Sequence, residues 1–300
     1  MTVRIALATA AEFPDLDDDG PALLAALSSL GIAAEPAVWT DPRIDYSRYH
    51  LVVVRSTWDY HDQLDEFLAW ADQVAAITPL ANAVQVLDWN THKTYLRDLG
   101  ALGLPVVETT WLDPGDTFTV PAAGEYVVKP AVSAGSKNTN RYVAGDHDDR
   151  ATRHVRSLLD AGRTVMVQPY LEAIDTTGET ALLYFGGEFS HAVRKAPLLE
   201  LGMPFVTAAF KPESMQPREP SPAELEVAGR VLDAMPSTEA GVARRDLLYA
   251  RVDLVPGADG SPTLLELELS EPSMFLTLDG ADGATSAARF AAAIAARAAR

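Results

Sequence analysis

Cysteine is absent from the 300 residues, which removes disulfide frameworks, thiolate metal clusters and thiol nucleophiles at once. Positive charge is scarce. Only 24 Lys and Arg stand against 42 Asp and Glu, for a formal net charge of −18. So acidic a chain repels phosphate backbones, and nucleic acid is not an expected partner. No apolar run approaches the ~18 residues that suggest a membrane span, and the N-terminus lacks the basic-then-apolar pattern of a secretory leader. The expectation is a cytoplasmic α/β protein with no membrane association.

Familiar motifs are missing too. The first apolar run, Val3 to Ala8, leads into Thr9-Ala10-Ala11-Glu12, where a dinucleotide fold would carry G-x-G-x-x-G. There is no P-loop and no G-x-S-x-G nucleophile elbow. The six histidines include no metal-binding spacing.

What is present is an alternation of strand and helix patterns. Val3 to Ala8, Ala37 to Trp39 and Leu51 to Val54 read as strands. Pro21 to Leu30, ending at Gly31, and Asp62 to Ala76 read as helices between and after them. This order favours a parallel sheet covered on both faces. Further on, Asn90-Thr91 is expected to cap a helix over His92 to Leu99, and 148–160 and 286–300 are expected helices. Extended segments are expected near 106–107, 126–129, 165–167, 181–185, 189–194, 249–255 and 263–269, with the Pro-rich 212–222 as a loop.

Only five lysines occur, at 93, 129, 137, 195 and 211, so each is worth locating. Lys129 ends a predicted strand and is followed by the small-residue loop Ala131 to Asn140. A lysine beside a loop rich in backbone N–H groups suits phosphate binding, although an ordinary surface hairpin reads the same way. Near the C-terminus, Asp253 lies on one expected strand and Leu264-Leu265-Glu266-Leu267-Glu268-Leu269 on the next. Period-2 alternation puts Glu266 and Glu268 on one face, with Leu265, Leu267 and Leu269 on the other. If the strands pair, three carboxylates converge, a hard-oxygen set suited to Mg²⁺ unless it is simply a solvated face.

Two spaced lysines, a small-residue loop and a D…E-x-E set, in that order, resemble the ATP-grasp superfamily over roughly residues 85–275. The resemblance implies an α/β (α+β) ATP-grasp fold. Its parts would be a Rossmann-like N-terminal domain (1–88), a central subdomain with a lid loop (89–165) and a C-terminal subdomain with the metal site (166–300). ATP would lie between the last two. By the same resemblance Lys93 and Lys129 are the nucleotide lysines, and Ser133, Ala134, Gly135 and Ser136 belong to the lid. Gln168, Tyr170 and Leu171 form the adenine hinge, and Asp175 holds the ribose. Asp253, Glu266 and Glu268 would bind Mg²⁺, or Mn²⁺ in its place. Related chains often have E-x-N where this one has E-x-E.

Val54 to Tyr60, Val128 to Gly135 and Glu266 to Ser273 further resemble one ATP-grasp subgroup, which includes the cyclo-ligase that closes O-ureido-D-serine to D-cycloserine. The implied reaction activates a carboxylate as an acyl phosphate and forms a C–N bond, releasing ADP and phosphate. Arg194 and Arg251 are candidate oxyanion donors, because guanidinium stays charged and binds two oxygens. Arg55, Ser56, Trp58, Ser270 and Ser273 are candidate contacts to an amino-acid-like substrate. No general base stands out; His92 is the weak candidate. Two alternatives remain: an intermolecular carboxylate–amine ligase of the glutathione synthetase or RimK type, and a nucleotide-binding protein without turnover. A homodimer is left open.

Overall fold

The structure is a computed structural model, and it describes residues 2–197, 199, 201, 215–278 and 284–300. Lys211 and residues 212–214 of the expected proline-rich loop lie outside the described residues. Three sheets are present among the described residues.

The first is parallel, in the order β2-β1-β3-β4, built from β1 (Arg4–Thr9), β2 (Ala33–Val38), β3 (Leu51–Ser56) and β4 (Leu80–Ala81). Its residues alternate between two apolar clusters. Ile5, Leu7, Leu51 and Val53 pack toward α1 (Gly20–Ser29), while Ala6, Ala8, Val52 and Val54 pack toward α2 (Leu64–Ala75). This is the two-sided burial the run Leu51 to Val54 predicts. Helix α1 begins with Pro21 in its first turn and ends before Gly31, whose φ of +71° suits glycine.

Two short helices, α3 (Val84–Asn90) and α4 (Tyr95–Ala101), replace the single helix expected over 92–99. Asn90 is not a helix cap. Its side chain clamps a distant strand end, donating to the Leu267 carbonyl at 2.8 Å and accepting from the Leu269 N–H at 2.7 Å.

The second sheet is antiparallel, β5-β8-β6-β7: β5 (Thr110–Leu112), β6 (Glu125–Pro130), β7 (Asn140–Val143) and β8 (Val165–Pro169). Helix α5 (Asp148–Asp160) covers it through Ala151, Val155 and Leu158. The expected boundary at 165/166 cuts β8, which pairs with β5 and β6, so this sheet extends to residue 169.

After α6 (Ala173–Thr177) comes the third sheet, β11-β10-β9-β12-β13, also antiparallel: β9 (Glu179–Phe185), β10 (Glu188–Lys195), β11 (Met215–Arg218), β12 (Tyr249–Pro256) and β13 (Pro262–Glu268). Its two faces also split by alternation. Leu183, Phe185 and Tyr249 pack on α8 (Ala284–Ala298), which packs on α1 as well and so joins this sheet to the first. Leu182, Tyr184 and Val252 pack with α4 and α7 (Pro222–Asp233).

Residues 215–218 and 222 onward correct the loop expectation. Pro217 is tolerated because β11 is an edge strand. Ser221 and Glu224 form a reciprocal capping box with Pro222 in the first turn, a helix start legible in the sequence.

Candidate active site

A cleft of about 1580 Å³, part of it open to solvent, lies between the second and third sheets. Val127, Lys129 and Gln168 line one wall, and Glu179, Lys195, Arg251, Glu266 and Glu268 the other. Trp58 and Tyr60, from beyond β3, and Glu271 also line it.

Lys93 arrives from the turn between α3 and α4, where its N–H bonds the Ala131 carbonyl at 2.9 Å. Its Nζ donates to the Ser133 carbonyl at 2.9 Å and stands 3.0 Å from a Glu266 oxygen. Lys129 is the penultimate residue of β6, beyond the β7 pairing and opposite Met166 of β8. The loop that follows carries Ser133, Ala134, Gly135 and Ser136 along the cleft. Gly135, Ser136 and Asn138 have φ near +58°, +57° and +57°, so two non-glycine residues here adopt the left-handed conformation.

On the opposite wall, register does the positioning. β12 and β13 pair so that Asp253 faces Glu266 and Arg251 faces Glu268. The pairing slips between Asp253 and Leu254, leaving Leu265 unpaired and lining the cleft while Leu264 joins the core. This corrects the simple alternation expected for Leu265. Arg251 grips Asp253 with two bonds of 2.9 Å and also bonds Glu268. Lys195 bridges Asp253 at 3.2 Å and Glu179 at 3.0 Å.

Electrostatics separate these groups. Burial alone would push the Lys93 ammonium down, but Glu266 beside it holds it above its ordinary value. Lys129 is different: burial depresses it, and Glu266 only partly offsets that. Burial would raise Asp253, yet Arg251 and Lys195 keep it low; Lys93 and Lys129 do the same for Glu266. Burial, with Glu266 and Asp253 nearby, lifts Glu268 to about 7 despite Arg251. Glu271 is lifted to about 8 by burial and by the Glu268 carboxylate.

Gln168, Tyr170 and Leu171 line the cleft where β8 ends. Gln168 donates to Thr109 Oγ1 at 2.9 Å, which leaves its amide oxygen as an acceptor. Asp175 is tied to Tyr170 and to Arg141 at 3.2 Å, and the Arg141 guanidinium sits 3.4 Å over the Tyr170 ring.

Several expected site residues fall elsewhere. Arg194 points away, donating to the carbonyls of Thr176 and Thr177 beside Gly178, and does not line the cleft. Lys195, one position on and on the opposite face of β10, lines it instead. Arg55 is 1% exposed and pairs with Asp17 at 3.3 Å and Asp19 at 3.8 Å, so it has no free edge for a substrate carboxylate. Ser56 bonds Thr9 across the first sheet, and Ser270 lies buried against Asn90. His92 bonds Thr94 outside the cleft. Trp58 and Ser273 do line it.

The chain is 40% identical over 303 residues to the cycloserine biosynthesis protein DcsG of Streptomyces lavendulae, covering 98% of each. Residues 5–82 match the family described as D-cycloserine synthetase DcsG, N-terminal domain. The chain belongs to the DcsG family. The crystal structure of D-cycloserine synthetase DcsG is similar at a TM-score of 0.85 and 38% identity, covering 98% of this chain and 99% of that one. The fold is shared with the D-alanine–D-alanine ligase of Bacillus anthracis in complex with ATP (TM-score 0.66, 12% identity, covering 100% and 98%) and with the ATP-grasp ligase PsnB (TM-score 0.63, 18% identity, covering 99% and 100%). The architecture of this DcsG-family chain is therefore the ATP-grasp fold. Among its described residues no helix is long and apolar enough to cross a membrane.

A divalent cation suits part of the expected donor set. Asp253 is saturated by Arg251 and Lys195 and only 2% exposed, whereas the Glu266 and Glu268 side chains are 24% and 25% exposed. Among the described residues no three acidic or imidazole groups converge as a complete metal site. Two carboxylates fit Mg²⁺, which keeps waters and takes phosphate oxygens. The raised Glu268 marks negative charge that a cation would relieve. Reading the sequence placed the scarce lysine Lys195 at or beside the site without a role, and gave no site role to Glu179, Tyr60 or Glu271. Tyr60, at the end of the motif Val54 to Tyr60, and Glu271, inside Glu266 to Ser273, carried a signal, whereas Glu179 carried none.

Proposed function

We propose that the chain is an ATP- and Mg²⁺-dependent ligase that activates a carboxylate as an acyl phosphate and closes O-ureido-D-serine to D-cycloserine, releasing ADP and phosphate. The observation that carries this reading is the facing of Lys93 and Lys129 against Glu266 and Glu268 across one cleft, in a chain 40% identical to a cycloserine biosynthesis protein.

Lys129, buried and in no ion pair among the described residues, holds the phosphate oxygens; Lys93, already bridged to the loop and to Glu266, fixes the loop over them. Gln168 and the β8 backbone receive the adenine. Mg²⁺ held by Glu266 and Glu268 would neutralise charge on the transferring phosphate. The substrate carboxylate takes the γ-phosphoryl group, and the ureido nitrogen bonded to oxygen then displaces phosphate as the ring C–N bond forms. Arg251, rigid through Asp253 and lining the cleft, stabilises the developing oxyanion with its guanidinium. The carbamoyl group leaves with water as carbon dioxide and ammonia.

The test is incubation with ATP, Mg²⁺ and O-ureido-D-serine, following product by mass spectrometry and the nucleotide by chromatography. AMP in place of ADP, or no cyclised product, would overturn the reading. A product formed only when an amine is added would favour intermolecular ligation.

A further inference from the structure

Six of the charged groups lining the cleft form ion pairs with one another: Lys93 with Glu266 at 3.0 Å, Lys195 with Glu179 at 3.0 Å, and Arg251 with Glu268, the last two cations being shared with the buried Asp253 behind the lining. One lysine and one carboxyl group remain. Lys129 and Glu271 line the cleft without an ion-pair partner among the described residues. The unmatched lysine serves phosphate in the reading above. The unmatched carboxyl group can take a cation that the protein does not supply.

Glu271 is also held in place. It sits on an irregular strap in which five successive carbonyls each accept from a side chain. Tyr249 donates to Ser270 (2.8 Å), Trp58 to Glu271 (2.9 Å), Arg55 to Pro272 (3.3 Å), Arg251 to Ser273 (3.3 Å) and His191 Nε2 to Met274 (2.9 Å). Asp19 accepts from the N–H groups of Met274 and Leu276 at 2.8 and 2.6 Å. A backbone fixed residue by residue aims its side chain with little entropy left to lose on binding. Trp58 and Tyr60 line the same cleft, and their rings reduce the water available to screen the charge.

We propose that Glu271 binds the α-ammonium group of the substrate and so selects an α-amino acid. This rests on the ligase reading and deepens it. The ammonium of O-ureido-D-serine takes no part in ring closure and survives in the product, so a site that holds it supplies orientation to the step rather than chemistry. Glu271 is then a specificity determinant distinct from Glu266 and Glu268.

The test compares wild type with Glu271→Gln on O-ureido-D-serine and on its counterpart bearing hydrogen in place of the amino group. ADP release gives kcat/KM, and calorimetry with a non-hydrolysable ATP analogue gives binding of each compound. Wild type should prefer the amino compound, and Glu271→Gln should lose roughly 10- to 100-fold on that compound alone, the effect of removing one charge-assisted hydrogen bond. Affinity for the ATP analogue should stay unchanged. Glu271→Asp should keep part of the preference. An undiminished preference in Glu271→Gln overturns the proposal, as does a raised Mg²⁺ requirement with unchanged KM for the amino compound. If Glu271→Gln does not bind the ATP analogue, the comparison passes to Glu271→Asp, where a preference equal to wild type overturns it. Should wild type bind the amino compound without releasing ADP, the ligase reading fails, while calorimetry still decides the role of Glu271.

Discussion

Trp58 and Glu271 stand 213 positions apart in the chain, and the indole Nε1 of one donates to the carbonyl of the other at 2.9 Å. The bond fastens the parallel sheet to the strap beyond β13, three positions from Arg55 and its own bond to Pro272. Residues that read as substrate contacts thus build the wall that presents Glu271. Trp58 touches the cleft as well, whereas Arg55 lies behind it.

Arg55→Ala should destabilise the fold by about 3–5 kcal/mol, the cost of leaving a buried carboxylate without its partner. Asp17 is already raised by burial even with Arg55 beside it. Urea unfolding measures the loss. A variant with wild-type stability and a raised KM for the substrate alone would return Arg55 to a substrate-binding role.

Lys129→Ala should lower affinity for ATP by roughly 10- to 100-fold, the scale of a charge-assisted contact. Stability should hold or rise, because the lysine is a buried cation without a partner among the described residues. Isothermal titration beside a thermal melt checks both parts. Unaltered ATP affinity would remove Lys129 from the phosphate site.

Asp62→Asn should raise KM for ATP several-fold and leave the melting temperature nearly unmoved. Asp62 takes Lys137 of the loop at 2.7 Å, but it is half exposed, and such pairs contribute under about 1 kcal/mol. High salt should mimic the substitution in wild type. Initial rates across ATP concentrations decide it.

His154 gives the pH dependence. Burial depresses it from 6.5 to about 4, and its Nδ1 lies 2.9 Å from the Tyr142 hydroxyl. Its folded value is below the unfolded one, so the unfolded chain binds more protons between those limits. The stability it contributes is complete above pH 6.5 and declines as pH falls toward 4, by up to ~1.4 kcal/mol per unit. His154→Gln should flatten that slope in denaturant melts taken at pH 7 and pH 5.

The sequence alone determined the element types with strong periodicity and the family. Leu51 to Val54 could bury on both faces only in a covered sheet. The order of lysine, loop and acids is a property of the chain as written. Tertiary structure decided which side chains meet. Asn90 left a helix cap to clamp β13, and Leu265 left the core at a bulge that no alternation count foresees. Arg194 and Lys195 are adjacent in sequence, yet one pins a helix end and the other lines the cleft, because neighbours on a strand face opposite ways. Local patterns encode faces and periods. Whether a charged residue faces a ligand or another residue depends on what the remote chain has already supplied, and Arg55, taken by Asp17 from 38 positions away, shows which of these prevailed.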